Sequence, residues 1–351
     1  MKTIKDLDIK NKTILVRVDY NVPLKDGKIT DDLRIRASLP TLEYLRQNGA
    51  SKIILISHLG RPEGRDEKLS LKPIADRLNK LIGNVTFVDE ISGPKVETAV
   101  ANLRPGQILL LENLRFFPGE KANSPEFIQA IVTSTGADAY VQDGFAVVHR
   151  AHASTDAIKE FLPIYAGLLA TKEVQNLTAA TKATDFQNPL LIIGGAKVED
   201  KQPLIEKLAP NFKHIFVGGK IAADGYTTSD PKIIVATDFD TDSEGRKLDI
   251  GPLSTGQLAS LIVDADLIIW NGLLGYAEDP AYSTASTLAA ELIGEKQPAT
   301  TIICGGDTTG FVENLMRGHQ NLSYSLVSTG GGAALEFLLG KELPGLQAIL
   351  A

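Results

Sequence analysis

The stretch Leu190-Leu191-Ile192-Ile193-Gly194-Gly195-Ala196-Lys197-Val198-Glu199-Asp200-Lys201 decides how this chain folds. Four apolar residues run into paired glycines and then into a charged, helix-compatible segment. A run that is apolar at every position, with no polar alternation, belongs to a strand covered on both faces, the hallmark of a parallel sheet. Similar runs recur at 13–18, 52–57, 108–111, 139–141, 215–217, 267–270, 301–303 and 326–328. Helix-period stretches separate them, such as Thr41-Leu42-Glu43-Tyr44-Leu45 and Leu288-Ala289-Ala290-Glu291-Leu292. Pro73 stands where a first helical turn tolerates it. Strands alternating with helices predict an α/β fold.

The chain has 351 residues, which suits two domains. It is 43% hydrophobic and 23% charged, enough to bury cores. A net charge of −7 argues against a nucleic-acid partner, which needs a basic face. Local basic clusters then point to small anionic ligands. The single cysteine, Cys304, allows no internal disulfide and suits a reducing compartment. The N-terminus lacks a signal-like apolar region, and the apolar runs are strand-sized. A soluble, cytoplasmic protein without a membrane partner is expected.

Ligands of parallel sheets bind beyond the carboxyl ends of the strands. In the first half those ends carry Asp19 and Asn21, His58 and Arg61, Asn113 and Arg115, then Asp143, His149 and Arg150. The stretch Val147-Val148-His149-Arg150-Ala151-His152-Ala153-Ser154-Thr155 packs two histidines and an arginine together. In the second half the strand ends carry glycines: Gly194-Gly195, Gly218-Gly219, Asn271-Gly272, Gly305-Gly306-Asp307-Thr308 and Gly330-Gly331-Gly332. The first half offers arginines to an anion. The second offers backbone N–H groups to phosphates. The division falls near residues 160–185, in a helical stretch able to join two domains.

Residue by residue, two readings stay open. Gly330 to Gly332, between a strand and a helix, form either a phosphate cradle or a ligand-free turn. Lys197 and Lys201 share a helix face. They are either a solvated pair or the partners of a phosphate that offsets their conflict with the helix dipole. The spacing is not that of a P-loop. Asp307 is either a helix N-cap or a Mg²⁺ ligand, and Glu278 either a surface acid or a ribose acceptor. Asp19 and Asn21 fit an Asx-turn. Arg34 and Arg36, after Asp31-Asp32, fit surface ion pairs. His58-Leu59-Gly60-Arg61-Pro62 fixes a histidine and an arginine right after a buried strand. Arg34, Arg61, Arg115 and Arg150 converging on one crevice imply a small ligand with a carboxylate and a phosphate. Cys304 reads as a buried strand residue without a catalytic role.

Together these residues resemble the phosphoglycerate kinases. VDYNVPL, KITDDLRIRASLPTLEYL, SHLGRPEG, LLLENLRFFPGE, HRAHAST, GGAKVEDK, CGGDT and STGGGAALEFLLGKELPG stand in the family's order, from about residue 14 to 345. The resemblance implies two Rossmann-like domains with parallel sheets facing a cleft, joined by a helix. One would comprise residues 1–165 plus 336–351 and bind phosphoglycerate; the other, 166–335, would bind nucleotide. It implies reversible Mg²⁺-dependent phosphoryl transfer from 1,3-bisphosphoglycerate to ADP, giving 3-phosphoglycerate and ATP, by a hinge-bending cytoplasmic monomer. By motif position, Asp19, Asn21, Arg34, His58, Leu59, Gly60, Arg61, Arg115 and Arg150 would bind the acid. Gly195, Lys201, Gly218, Gly219, Asn271, Glu278, Gly305, Gly306, Asp307 and Thr308 would bind ATP or ADP, with Asp307 also holding Mg²⁺. Arg34, Lys197, Gly330 and Gly331 would face the transferred phosphoryl group.

The chain departs from the family pattern in three places. It is shorter by some tens of residues, mainly between Gly219 and Gly251, where the family's GGGMAFTFLK becomes Val217-Gly218-Gly219-Lys220-Ile221-Ala222-Ala223-Asp224-Gly225. The family's WNGPMGVFE becomes Trp270-Asn271-Gly272-Leu273-Leu274-Gly275-Tyr276-Ala277-Glu278. Both changes surround the expected base site, so the base preference is not fixed by sequence. The family's NDAFGTAHR becomes Gln142-Asp143-Gly144-Phe145-Ala146-Val147-Val148-His149-Arg150, with His149 and Arg150 kept.

Overall fold

The computed structural model describes residues 1–296, 299–319 and 321–350, and their side chains except at 200 and 348. The last residue of the expected first domain, 351, lies outside the described residues. The chain forms two compact units, Met1–Lys172 with Glu342–Ala351, and Glu173–Lys341. Residues 166–172 therefore fall in the first unit and 336–341 in the second. The helix Leu168–Thr181 carries the chain from one to the other.

The first unit holds strands β1 (Thr13–Arg17), β2 (Lys52–Ile56), β3 (Val85–Phe87), β4 (Gln107–Leu110), β5 (Ala139–Gln142) and β6 (Ile164–Ala166). They form one parallel sheet in the order β3-β4-β2-β1-β5-β6. The second unit holds β7 (Pro189–Ile193), β8 (His214–Val217), β9 (Ile233–Val235), β10 (Leu267–Asn271), β11 (Thr300–Cys304) and β12 (Leu326–Val327). These too are parallel, in the order β9-β8-β7-β10-β11-β12. In each sheet the strand order reverses beside the first strand, β1 or β7. That reversal point is where the crevice for a ligand opens.

The apolar runs fold as expected because both faces of the central strands are covered: every residue of β7 and β10 is buried. The sequence reading missed β3, β6 and β9. All three are three-residue edge strands. An edge strand pairs on one side only and needs no continuous apolar run. Pro73 lies in the first turn of the helix Lys72–Ile82. The crossover from β8 to β9 contains only the five-residue helix Gly219–Ala223, which is where the chain is short. A two-stranded antiparallel hairpin, Phe239–Thr241 with Lys247–Ile250, follows.

Each unit has its own core. Ile14, Val16, Ile53, Leu55, Ile108 and Leu110 centre the first. Ile192, Phe216, Ile268, Trp270 and Ile303 centre the second. A fully buried side chain of this kind contributes about 1.5–3 kcal/mol. Trp270 also donates its indole N–H to the Gly272 carbonyl at 2.7 Å, which shapes the turn after β10. Among the described residues no helix is long and apolar enough to cross a membrane.

Candidate active site

In the first unit, four neighbouring strands (β4, β2, β1 and β5) deliver the polar cluster from their carboxyl ends. Arg17, the last residue of β1, is 1% exposed, and the sequence reading did not name it. Its signal was present: a charged residue inside the apolar run 13–18 cannot be a surface charge. Arg17 donates through Nε to Ser154 Oγ at 3.0 Å, through Nη1 to the Val18 carbonyl at 2.5 Å and through Nη2 to His58 Nδ1 at 3.1 Å.

A guanidinium can only donate, so His58 Nδ1 must accept. The neutral ring then carries its proton on Nε2. Burial, followed by Arg17, Arg115, Arg150 and Arg34, pushes the His58 pKa well below its ordinary value. The 3.8 Å approach of Asp19 Oδ1 to Nδ1 is therefore not an ion pair. His58 presents a neutral N–H donor at neutral pH.

Asp19 makes two contacts. Oδ1 accepts the Asn21 N–H at 3.1 Å, which is the Asx-turn, and Oδ2 accepts Arg34 Nη1 at 2.5 Å. Arg34 thus points to the strand end, whereas Arg36 makes the exposed i,i+4 pair with Asp32. Asn21 Oδ1 accepts the Gly60 N–H at 2.8 Å. Arg115 Nη1 donates to the Gly60 carbonyl at 2.6 Å, and buried Asn113 clamps both backbone groups of Leu59. Burial, then Arg150 and Arg17, lowers the Arg115 pKa to about 10, so it stays charged at neutral pH. Its Nε is buried without a hydrogen-bond partner. Arg150 Nε donates to His149 Nε2 at 3.1 Å. Arg61 is exposed next to this cluster.

The second unit contains a cavity of about 730 Å³. Gly195, Lys197, Lys201, Gly219 and Gly305 to Thr308 line it, as does Glu278. Lys197 is the N-cap residue of the helix Val198–Leu208, and Lys201 Nζ donates to Asn271 Oδ1. Asn271 is fully buried, and its Nδ2 has no hydrogen-bond partner. The N-cap of the helix Gly306–Gly318 is Gly305, so the capping reading of Asp307 gives way: Asp307 is an exposed first-turn acid. Thr308 Oγ1 accepts the Gly272 N–H at 2.8 Å, tying that helix to the turn after β10. Phe239, Leu248, Leu274 and Tyr276 add apolar lining, and Glu278 accepts the Tyr276 hydroxyl at 2.8 Å.

Gly218, Asn271, Gly330 and Gly331 lie outside the lining. Gly218 faces Leu274, with 2.8 Å left for a Cβ. Gly330 is buried in a turn whose neighbour Thr329 donates its N–H and hydroxyl to Glu173 Oε1 at 2.7 and 2.9 Å.

Two doubly wound sheets, one ending in arginines and the other in glycines and lysines, define an α/β phosphotransferase. The family model described as Phosphoglycerate kinase matches residues 4–233 and 226–341. The chain belongs to that family. It is similar to the phosphoglycerate kinases of Moorella thermoacetica, with 39% identity over 399 positions covering 99% of this chain and 98% of that protein, and of Dictyoglomus turgidum, with 38% identity covering 99% and 98%. The 399 aligned positions exceed the 351 residues present, so the relative is longer. The two matched segments meet at 226–233, within the short crossover region. Among solved structures, phosphoglycerate kinase from Pyrococcus horikoshii OT3 superposes with a TM-score of 0.87 at 26% identity, covering all of this chain and 98% of that one. The enzyme from Coxiella burnetii gives 0.79 at 31% identity, covering 99% and 98%.

Proposed function

We propose that the chain catalyses reversible phosphoryl transfer between 1,3-bisphosphoglycerate and ADP, giving 3-phosphoglycerate and ATP, as a cytoplasmic monomer. The observation that carries this reading is the cluster of Arg17, Arg34, Arg115 and Arg150 around buried, neutral His58. Like charges this close repel one another, and the buried, unpartnered Arg115 Nε marks a donor suited to an anion. A ligand with a carboxylate and a phosphate supplies the missing charge.

In the direction of ATP use, a carboxylate oxygen of 3-phosphoglycerate bonds to the γ-phosphorus as the bond to the ADP oxygen breaks. The carboxylate is already ionised, so no general base is needed. Arg34, Arg115, Arg150 and the His58 Nε2–H orient the acid. Lys197, Lys201 and the N-terminus of the helix Gly306–Gly318 hold the nucleotide phosphates and offset charge in transit. Among the described residues no cluster of three His, Cys, Asp or Glu could cage a metal. A single carboxylate suits Mg²⁺, which takes its other ligands from water and substrate phosphates, and Asp307 would hold it. Bound there, the ion would neutralise phosphate charge.

A substrate panel tests the reading. Turnover with 3-phosphoglycerate and little with unphosphorylated glycerate supports it. Equal turnover on both contradicts it, because the arginine cluster would then have no phosphate to read.

A further inference from the structure

Arg17 is buried, yet its hydrogen bonds go to neutral acceptors: Ser154 Oγ, the Val18 carbonyl, Ser57 Oγ and His58 Nδ1. The nearest carboxylate along these bonds is Glu120, one step beyond Ser154. Glu120 is 0% exposed and sits in the four-residue helix Pro118–Lys121. Its Oε1 accepts the Ser154 hydroxyl at 2.6 Å and its Oε2 the Ser154 N–H at 3.1 Å. Its own carbonyl accepts the Ala153 N–H at 2.9 Å. His152 Nδ1 lies 3.8 Å from Oε1. No step of the mechanism above uses Glu120.

We infer that Glu120 is a positioning residue for the acid site and acts through Ser154. A hydroxyl has one proton and two lone pairs. Committing the proton to Glu120 leaves the oxygen free to accept Arg17 Nε, so the carboxylate sets the direction of the whole relay. The relay fixes the guanidinium that orders the His58 tautomer. Glu120 holds residue 153 by its backbone carbonyl and residue 154 by its carboxylate, at the end of the loop that carries His149, Arg150 and His152. A glutamine at 120 would break this order. With its oxygen on the Ser154 N–H, its amide would donate to Ser154 Oγ, and the hydroxyl proton would lose the acceptor that fixes its direction.

The inference rests on the kinase reading, and the experiment separates the two. The KM for 3-phosphoglycerate, the KM for ATP and the Tm are measured for wild type, Glu120→Gln, Ser154→Ala and the double variant. Loss of one charge-assisted bond raises the KM for 3-phosphoglycerate by roughly tenfold or more in each single variant. The double variant is no worse than the worse single, because both changes cut one relay. The KM for ATP does not move, which a general loss of folding would not spare. Ser154→Ala removes a single hydroxyl and carries the test if Glu120→Gln does not fold. Unchanged 3-phosphoglycerate constants, or effects that add in full, overturn the relay while the kinase reading stands. A folded wild type with no turnover overturns the kinase reading, and the inference with it.

Discussion

Arg34 Nη1 donates to Asp19 Oδ2 at 2.5 Å, joining the first turn of the helix Leu33–Gln47 to the end of β1. The pair is not a plain surface bridge, since the Asp19 side chain is only 5% exposed while that of Arg34 is 32% exposed. Asp19 holds the arginine by one nitrogen, and the rest of the fork can meet an anion. Arg34→Ala should lower kcat by on the order of 10³-fold, the scale set by arginines that act on a phosphoryl group in transfer. Nucleotide affinity, measured by titration with ADP, should stay near wild type. An equal loss of ADP affinity would remove Arg34 from the reaction.

Lys201 reaches Asn271 Oδ1 in the second unit, beside the turn that holds Gly272. Lys201→Met should raise the KM for ATP by roughly tenfold, the scale of a lost charge-assisted hydrogen bond. The KM for 3-phosphoglycerate should not change. Steady-state kinetics with each substrate varied in turn checks both.

Gly272 has φ +101° and stands backbone to backbone with the end of β7. A Cβ there would lie 2.1 Å from the Gly194 carbonyl oxygen, which cannot swing aside as a side chain would. Gly272→Ala should destabilise the second unit by about 1–3 kcal/mol, the usual range for overpacking. It should also weaken ATP binding, since Gly272 abuts Gly194 and Gly195, and Gly195 and Gly272 both line the cavity. Denaturant titration and ADP calorimetry test the two effects.

His58 sets a pH dependence. Its folded-state pKa lies well below 6.5, so the unfolded chain takes up the proton first as pH falls. The stability from neutral His58 is present above about pH 6.5 and is lost below it. His152, lowered to about 4 by burial and then by Arg115 and Arg150, acts in the same sense. Asp143 acts in the opposite sense: burial raises its pKa to about 7, so its contribution falls as pH rises from the ordinary carboxylate range to that value. The denaturant midpoint of His58→Gln should therefore fall less steeply than that of wild type between pH 7 and 5. That of Asp143→Asn should fall more steeply.

Much of this was legible in the sequence because the central strands are covered on both faces, and such strands leave unbroken apolar runs. The glycine-ended strands 190–193 and 301–303 were read for that reason, and so were the arginines that follow 52–57 and 108–111. Edge strands such as β3 and β9 left no such trace. Glu120 and Ser154 were missed for a different reason. A buried relay joins residues more than thirty positions apart, from Glu120 to Ser154 and from Arg17 to Ser154, and only the packed structure brings them together. Whether Asp307 caps its helix was open because spacing cannot separate a capping acid from a first-turn acid; the helix start at Gly306 does.

The most direct test is ATP consumption by the purified protein with 3-phosphoglycerate and Mg²⁺, coupled to reduction of the acyl phosphate. Parallel runs replace ATP with GTP or add EDTA. The account predicts turnover that requires 3-phosphoglycerate and disappears with EDTA, with the GTP run reporting how the altered base site chooses. Folded protein that consumes neither nucleotide would contradict it and leave a binding protein on the same scaffold.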